Sequence, residues 1–285
     1  MIVDSKELLI DARRKGNALG HFNIFNFETA KAVISAIDET RKPAFVAITE
    51  TTIRYAGLGV ITSIVKEISK QVETSFVMHL DHGKNMDLIK KCIDIGFTSV
   101  MIDGSAFHFE ENVDITKKVI AMARPKGISV EAELGHVGRV GEIVPKHFQT
   151  RPDRAEEFVE LTDVDSLAVA VGTIHGLVTE MSIDYKRLKD IASRVKIPLV
   201  IHGGTGLKDK DIEGLISNGA SKINMDTALR IAFMRGLKQN ITEMDPRKVM
   251  TSAMDEVEIV VEKLIKKFDT PSHIIKKNGS PQQGV

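Results

Sequence analysis

One cysteine, Cys92, is all the thiol chemistry in this 285-residue chain, so no intramolecular disulfide can staple it, and a reducing compartment suits it. Neither sign of charge is in excess: 39 Lys plus Arg stand against 39 Asp plus Glu. Such a balance gives no global field for nucleic acid or an anionic membrane, so an anionic ligand must be met by local amides and a few basic residues. No apolar run is long enough to span a bilayer. The N-terminal MIVDSKELLIDARRKG reads as a polar-faced helix without the apolar stretch of a secretion signal, and the expectation is a cytoplasmic protein. There is also no low-complexity segment and no dividing linker. The first strand candidate runs into His21-Phe22-Asn23-Ile24-Phe25-Asn26 without a glycine fingerprint, which argues against an open dinucleotide-binding sheet.

What is present is ordinary in amount, 42% hydrophobic and 27% charged, and regular in arrangement. Short runs of Val, Ile, Ala and Leu give eight strand candidates, at 19–23, 44–49, 76–80, 99–102, 129–133, 166–171, 199–201 and 222–225. Between them apolar residues recur at helical spacing, as in Phe27, Ala30, Val33, Ile34 and Ile37. Continuous apolar strands joined through helices imply a parallel sheet covered on its outer face. Eight repeats in this length predict an α/β fold, a (β/α)8 TIM barrel closed as a single domain over 1–285, with a C-terminal helical extension. Residues 135–153 are long, glycine-bearing and aperiodic, and read as a mobile lid. Residues 276–285 read as a flexible tail.

The chemistry gathers where apolar runs give way to glycine: Met78-His79-Leu80-Asp81-His82-Gly83, His175-Gly176 and His202-Gly203-Gly204-Thr205-Gly206. Catalytic residues of such barrels sit at the C-terminal strand ends. His82, His175 and His202 therefore converge on one mouth, and three neutral imidazoles with an open fourth position mark a catalytic zinc site. Asp81 would move a proton there. It can share a site with His82 only if the strand ends between them, since neighbouring strand residues face opposite ways. His79 reads as an interior residue that orients its neighbours, and His21, His108, His136, His147 and His273 lack the strand-end context. Gly203, Gly204 and Thr205, with Asn224-Met225-Asp226-Thr227 after the last strand, form the paired loops that usually cradle phosphate. Glu131 and Glu133 share a strand face; they orient a metal-bound histidine, carry a second cation, or pair with a barrel lysine.

The strings HLDHG, GSAFHFEEN (104–112), SVEAELG (129–135), SLAVAVGTIHG (166–176), HGGTG and KINMDT resemble, in order, the class II zinc-dependent ketose-bisphosphate aldolases of the fructose and tagatose type. The resemblance runs from about His21 to Arg247. It implies Asp81 as general acid/base and a catalytic Zn2+ on His82, His175 and His202, with room for a second divalent or monovalent cation. By the same resemblance Gly176, Gly203 to Thr205 and Asn224 to Thr227 hold the dihydroxyacetone phosphate half. Asn23 and Thr49 contact substrate, the lid-loop Glu142 exchanges a proton on the triose, and Arg247 meets the far phosphate. The partner is then a small phosphosugar, and the family suggests a homodimer or homotetramer. In cleavage the metal stabilises an enediolate while Asp81 takes the C4 hydroxyl proton. This chain departs from the pattern at three places: Thr205 stands for a common serine, Val178-Thr179 for a frequent Tyr-Lys, and Ile48-Thr49-Glu50-Thr51-Thr52 lacks a glycine.

Other readings fit less. A Schiff-base aldolase needs an inward lysine; the sixth strand has none, and Lys222 is the nearest candidate. A metal-dependent hydrolase is disfavoured by the paired phosphate loops. A non-catalytic phosphosugar-binding barrel leaves Asp81 and the histidines without purpose.

Overall fold

The computed structural model describes residues 1–142, 145–178 and 180–269. The chain runs through α1 (Lys6–Lys15), β1 (Leu19–Asn23), α2 (Phe27–Thr40), β2 (Phe45–Thr49), α3 (Glu50–Ala56), α4 (Leu58–Ser69), β3 (Val77–Gly83) and α5 (Met86–Ile95). It continues through β4 (Ser99–Ile102), α6 (Phe109–Ala123), β5 (Ser129–Leu134), β6 (Gly138–Arg139), α7 (Pro152–Thr162), β7 (Ser166–Val169) and β8 (Ile174–His175). The last elements are α8 (Tyr185–Arg194), β9 (Leu199–Ile201), α9 (Asp209–Ser217), β10 (Ala220–Met225), α10 (Thr227–Gln239) and α11 (Pro246–Phe268). Eight parallel strands close in the order β1-β10-β9-β7-β5-β4-β3-β2, the TIM barrel expected from the repeats.

Strand alternation sorts the side chains. Outward residues such as Phe22, Val46, Met78, Leu80, Val100 and Ile223 pack under the helices in one large apolar cluster. Helices enter this layer where a capping residue starts them: in α2, Asn26 accepts the Thr29 N–H and Thr29 reciprocates. Inside the barrel, Leu19, Phe45 and Val77 meet Leu9 and Ala12 of α1, so the N-terminal helix closes the bottom end. The C-terminal helical extension is α11. It buries Ala253, Val257, Val261, Ile265 and Phe268 along one stripe, and the larger of these contribute roughly 1.5–3 kcal/mol each. Among the described residues no helix is long and apolar enough to cross a membrane. Residues 276–285, read as a tail, lie outside the described residues.

The sixth repeat differs from expectation. The barrel strand ends at Val169, not 171, and His175 does not close it. Gly172 adopts φ +100°, where a Cβ would lie 2.1 Å from the Ser182 carbonyl oxygen, and the chain breaks from the barrel there. His175 instead lies in β8, paired in parallel with β6 of the 135–153 loop, with Arg139 opposite His175.

Candidate active site

At the C-terminal mouth lies a cavity of about 670 Å3. It is lined by Asn23, Thr49, Asp81, His82, His175, Gly176, Gly203, Gly204, Thr205, Asn224, Asp226 and Thr227 from the sequence reading. Glu50, Thr51, Arg54, Lys84, Arg139, Val140 and Arg230 line it too, and that reading had not singled them out as site residues.

Asp81 faces inward by strand alternation, and His82 would face outward but for its backbone. His82 has φ +51°, rare for a residue with a Cβ, and the β3–β4 register shifts between Leu80 and Gly83. This left-handed step turns His82 back toward the mouth beside Asp81. The strand need not end between the two residues; it kinks at the second.

Nitrogens of His82, His175 and His202 lie within 4.8 Å of one another. The His82 Nδ1–H donates to Asp103 Oδ2 at 3.2 Å, and the His202 Nε2–H donates to Glu131 Oε1 at 3.1 Å. Those bonds leave His82 Nε2 and His202 Nδ1 facing each other 3.0 Å apart, a contact that takes one shared proton while His82 is charged and offers two lone pairs once that proton leaves. Two zinc-bound nitrogens at tetrahedral angles sit about 3.3 Å apart, so the donor set fits such an ion. Glu133 lies beside both rings, 3.5 Å from His202 Nδ1 and 3.8 Å from His82 Nδ1, its Oε2 without a hydrogen-bond partner among the described residues.

The local field favours positive charge at His82. Burial opposes it, but Asp81, Asp103 and Glu133 outweigh burial and push His82 up to about 9. Burial, with the positive fields of His202 and His82, presses His175 down to about 3, which keeps that ring neutral. Burial alone would raise Asp81; His21 and His82 more than offset it and hold the carboxyl well below its ordinary range.

Asp81 Oδ2 accepts the Asn23 amide at 2.8 Å, while its buried Oδ1 has no hydrogen-bond partner among the described residues. His21, dismissed for want of strand-end context, is buried in the barrel with Nε2 3.6 Å from Asp81 Oδ1. His79 is an interior residue as read, its Nδ1 2.8 Å from Ser99 Oγ. Glu131 serves in two ways at once, holding His202 and pairing with Lys222 Nζ at 2.6 Å. Lys222 is fully buried, ion-paired and 4.9 Å from the Phe45 ring centroid, away from the cavity lining. A Schiff-base role for it has no support.

The glycine loops are shaped by close approach. Gly203 has φ +72°, and a Cβ there would lie 2.6 Å from the backbone of Ile174. Thr205 Oγ1 accepts the Ala228 N–H at 3.1 Å, which leaves its own hydrogen to donate into the cavity.

Three of the expected catalytic and substrate-binding residues are not brought to the cavity. Met225 follows an inward Asn224, so it faces outward into the apolar layer at 3% exposure. Arg247 sits at the start of α11 with its side chain 90% exposed and paired with Asp245 at 2.9 Å. Glu142 faces His136 Nε2 at 2.6 Å, outside the lining. Among the missed residues, Asp103 had a signal: it follows β4 directly, at the same strand-end position as the residues that were found. Arg139 had none, since its place depends on a pairing between distant loops.

The family model described as fructose-bisphosphate aldolase class-II matches residues 3–272. Among solved structures, the YdjI aldolase from Escherichia coli K12 is 32% identical with TM-score 0.85, over 95% of this chain and 98% of that one. A Coccidioides immitis protein assigned as a fructose-1,6-bisphosphate aldolase is 27% identical with TM-score 0.85, over 94% and 97% of the two chains. The fructose-bisphosphate aldolase from Campylobacter jejuni, 20% identical with TM-score 0.82 over 95% and 96%, shares the fold.

Proposed function

Because the chain belongs to the class II fructose-bisphosphate aldolase family, we propose that it carries out metal-dependent, reversible cleavage of a ketose 1,6-bisphosphate of the fructose or tagatose type. The products are dihydroxyacetone phosphate and an aldehyde such as glyceraldehyde 3-phosphate. One observation carries this reading: Asp81, His82, His175 and the loops after β9 and β10 line a single cavity, and the buried His202 brings a ring nitrogen within 4.8 Å of the other two imidazoles.

In cleavage Asp81, oriented by the Asn23 amide at Oδ2, takes the C4 hydroxyl proton, and in synthesis it returns the proton. A zinc ion held by His82, His175 and His202 would polarise the ketose carbonyl and stabilise the charge left on the triose. Asp103 and Glu131 keep two of those rings in the required tautomer. Amides of Gly203 and Gly204, with the Thr205 hydroxyl, meet the triose phosphate, and Thr49, at the end of β2, contacts the substrate toward the leaving aldehyde. Proton exchange by Glu142 requires its loop to close over the site, breaking the His136 contact.

Metal analysis with a coupled triose-phosphate assay tests this. Cleavage of a ketose 1,6-bisphosphate should be lost with a chelator and restored by zinc. Activity that survives complete metal removal, or inactivation by borohydride with substrate, rules the mechanism out.

A second reading, cleavage of a longer or singly phosphorylated ketose, is favoured by Arg247, whose side chain does not line the cavity. Comparing kcat/KM for the fructose and tagatose bisphosphates with that for a longer, singly phosphorylated sugar separates the two. Arg247→Ala should lower only the bisphosphate values if that residue meets the far phosphate.

A further inference from the structure

The loops assigned above to the triose phosphate offer amides and a hydroxyl but no positive charge. A phosphate dianion leaving water is held far better when a cation joins the amides. Four cations line the cavity: Arg54, Lys84, Arg139 and Arg230. Three have carboxylate partners. Arg54 lies 3.6 Å from Glu50, Lys84 3.2 Å from Asp103, and Arg230 forms a two-point pair with Asp226 at 2.6 and 2.9 Å. Among the described residues Arg139 is the lining cation whose guanidinium has no side-chain partner within hydrogen-bond or ion-pair distance. Glu142, the carboxylate beside it in the loop, faces His136 with one oxygen and accepts the Arg139 backbone N–H with the other.

Position agrees with availability. In the β6–β8 pair Arg139 stands opposite His175, so the two side chains share a face, the one His175 turns to the imidazole trio. Gly203 approaches the Ile174 backbone of β8 closely enough to exclude a Cβ. Next to His175, Gly176 leaves room for Val140, whose Cγ2 would lie 2.5 Å from a Cβ there. The loop strand, β8 and the glycine loop thus lie side by side. With strands spaced about 4.8 Å apart, a long side chain from β6 spans the distance to an anion on that loop.

We propose that Arg139 is the cation that holds the phosphate of the triose half, fixed in reach by the β6–β8 pairing. The assignment rests on the aldolase reading above. It makes β6 part of the donor-substrate site, with Arg139 a substrate-binding residue and not merely part of a cover.

The test is aldol addition at saturating aldehyde with dihydroxyacetone phosphate varied, comparing the wild-type protein with Arg139→Met and Arg139→Lys. Inorganic phosphate is measured in parallel as a competitive inhibitor and by calorimetry on the zinc-loaded protein. Arg139→Met should raise both the KM for dihydroxyacetone phosphate and the phosphate inhibition constant roughly 10- to 100-fold, with bound zinc unchanged. Arg139→Lys should recover part of that loss. Unchanged values, a fall in kcat alone, or loss of zinc as the sole effect overturns the proposal. If the wild type adds no aldehyde, the aldolase reading fails, and phosphate calorimetry still decides the role of Arg139.

Discussion

His82 Nε2 lies 3.0 Å from His202 Nδ1, and the far nitrogen of each ring is held by a carboxylate, Asp103 for one and Glu131 for the other. Ring nitrogens this close need a positive charge between or beside them, a shared proton or a metal ion. The carboxylates therefore prepare the rings for a cation before it arrives.

Asp103→Ala should lower zinc affinity about 10- to 100-fold, because it frees the His82 ring and its tautomer. Competition against a chromophoric chelator measures this, and an unchanged affinity removes Asp103 from the metal's support. Asp103 also bonds Ser105 and Lys84 at the rim, so its removal should lower thermal stability as well, and a melting curve reads that effect separately.

Asp81→Ala should abolish turnover while zinc stays bound, since its carboxylate is the proton carrier and not one of the imidazole trio. Asn23→Ala should cost less, roughly 10-fold in kcat, by loosening the aspartate it holds at 2.8 Å. Steady-state kinetics with metal analysis reads both, and turnover surviving in the Asp81 variant removes it from the proposed role.

Gly203→Ala should destabilise the fold by at least about 1–2 kcal/mol, from the left-handed backbone, with a further penalty from the Ile174 contact. Its KM for phosphorylated substrates should rise as the loop shifts. Chemical denaturation and kinetics report the two effects separately.

Cys92 is fully buried, and burial, with the nearby Glu50 carboxylate, pushes its thiol up to about 12. Native protein should resist thiol reagents that label it at once in denaturant. The unfolded thiol ionises near about 8.5, so above that pH the unfolded chain has lost a proton that the folded chain keeps. Stability should fall by about 1.4 kcal/mol per pH unit from this group. Cys92→Val should flatten the alkaline slope relative to wild type by that amount; equal slopes refute the shift.

The eight-strand barrel was legible because the strands are apolar on one face and the helices between them keep a 3.6-residue period. The sixth strand misled, since Ala170 and Val171 continue the apolar run although the chain has already left the barrel toward Gly172. Asp81, His82 and His202 could be found by their strand-end context. The carboxylates behind them were harder, because Glu131 and Glu133 announce only that they share a face, and their partners come from other strands.

The order of residues by itself determined which side chains face the barrel interior, since strand alternation is local, and it put Asp81 and Asn224 inside and Met225 out. It also supplied the glycines that let loops approach one another. Only the tertiary structure decided that His82 turns inward through a left-handed backbone. It also brought His175 in on a separate strand, set Arg139 beside it, and left Arg247 with Asp245 in solvent. These depend on contacts between segments tens of residues apart, whose free energy no local pattern records.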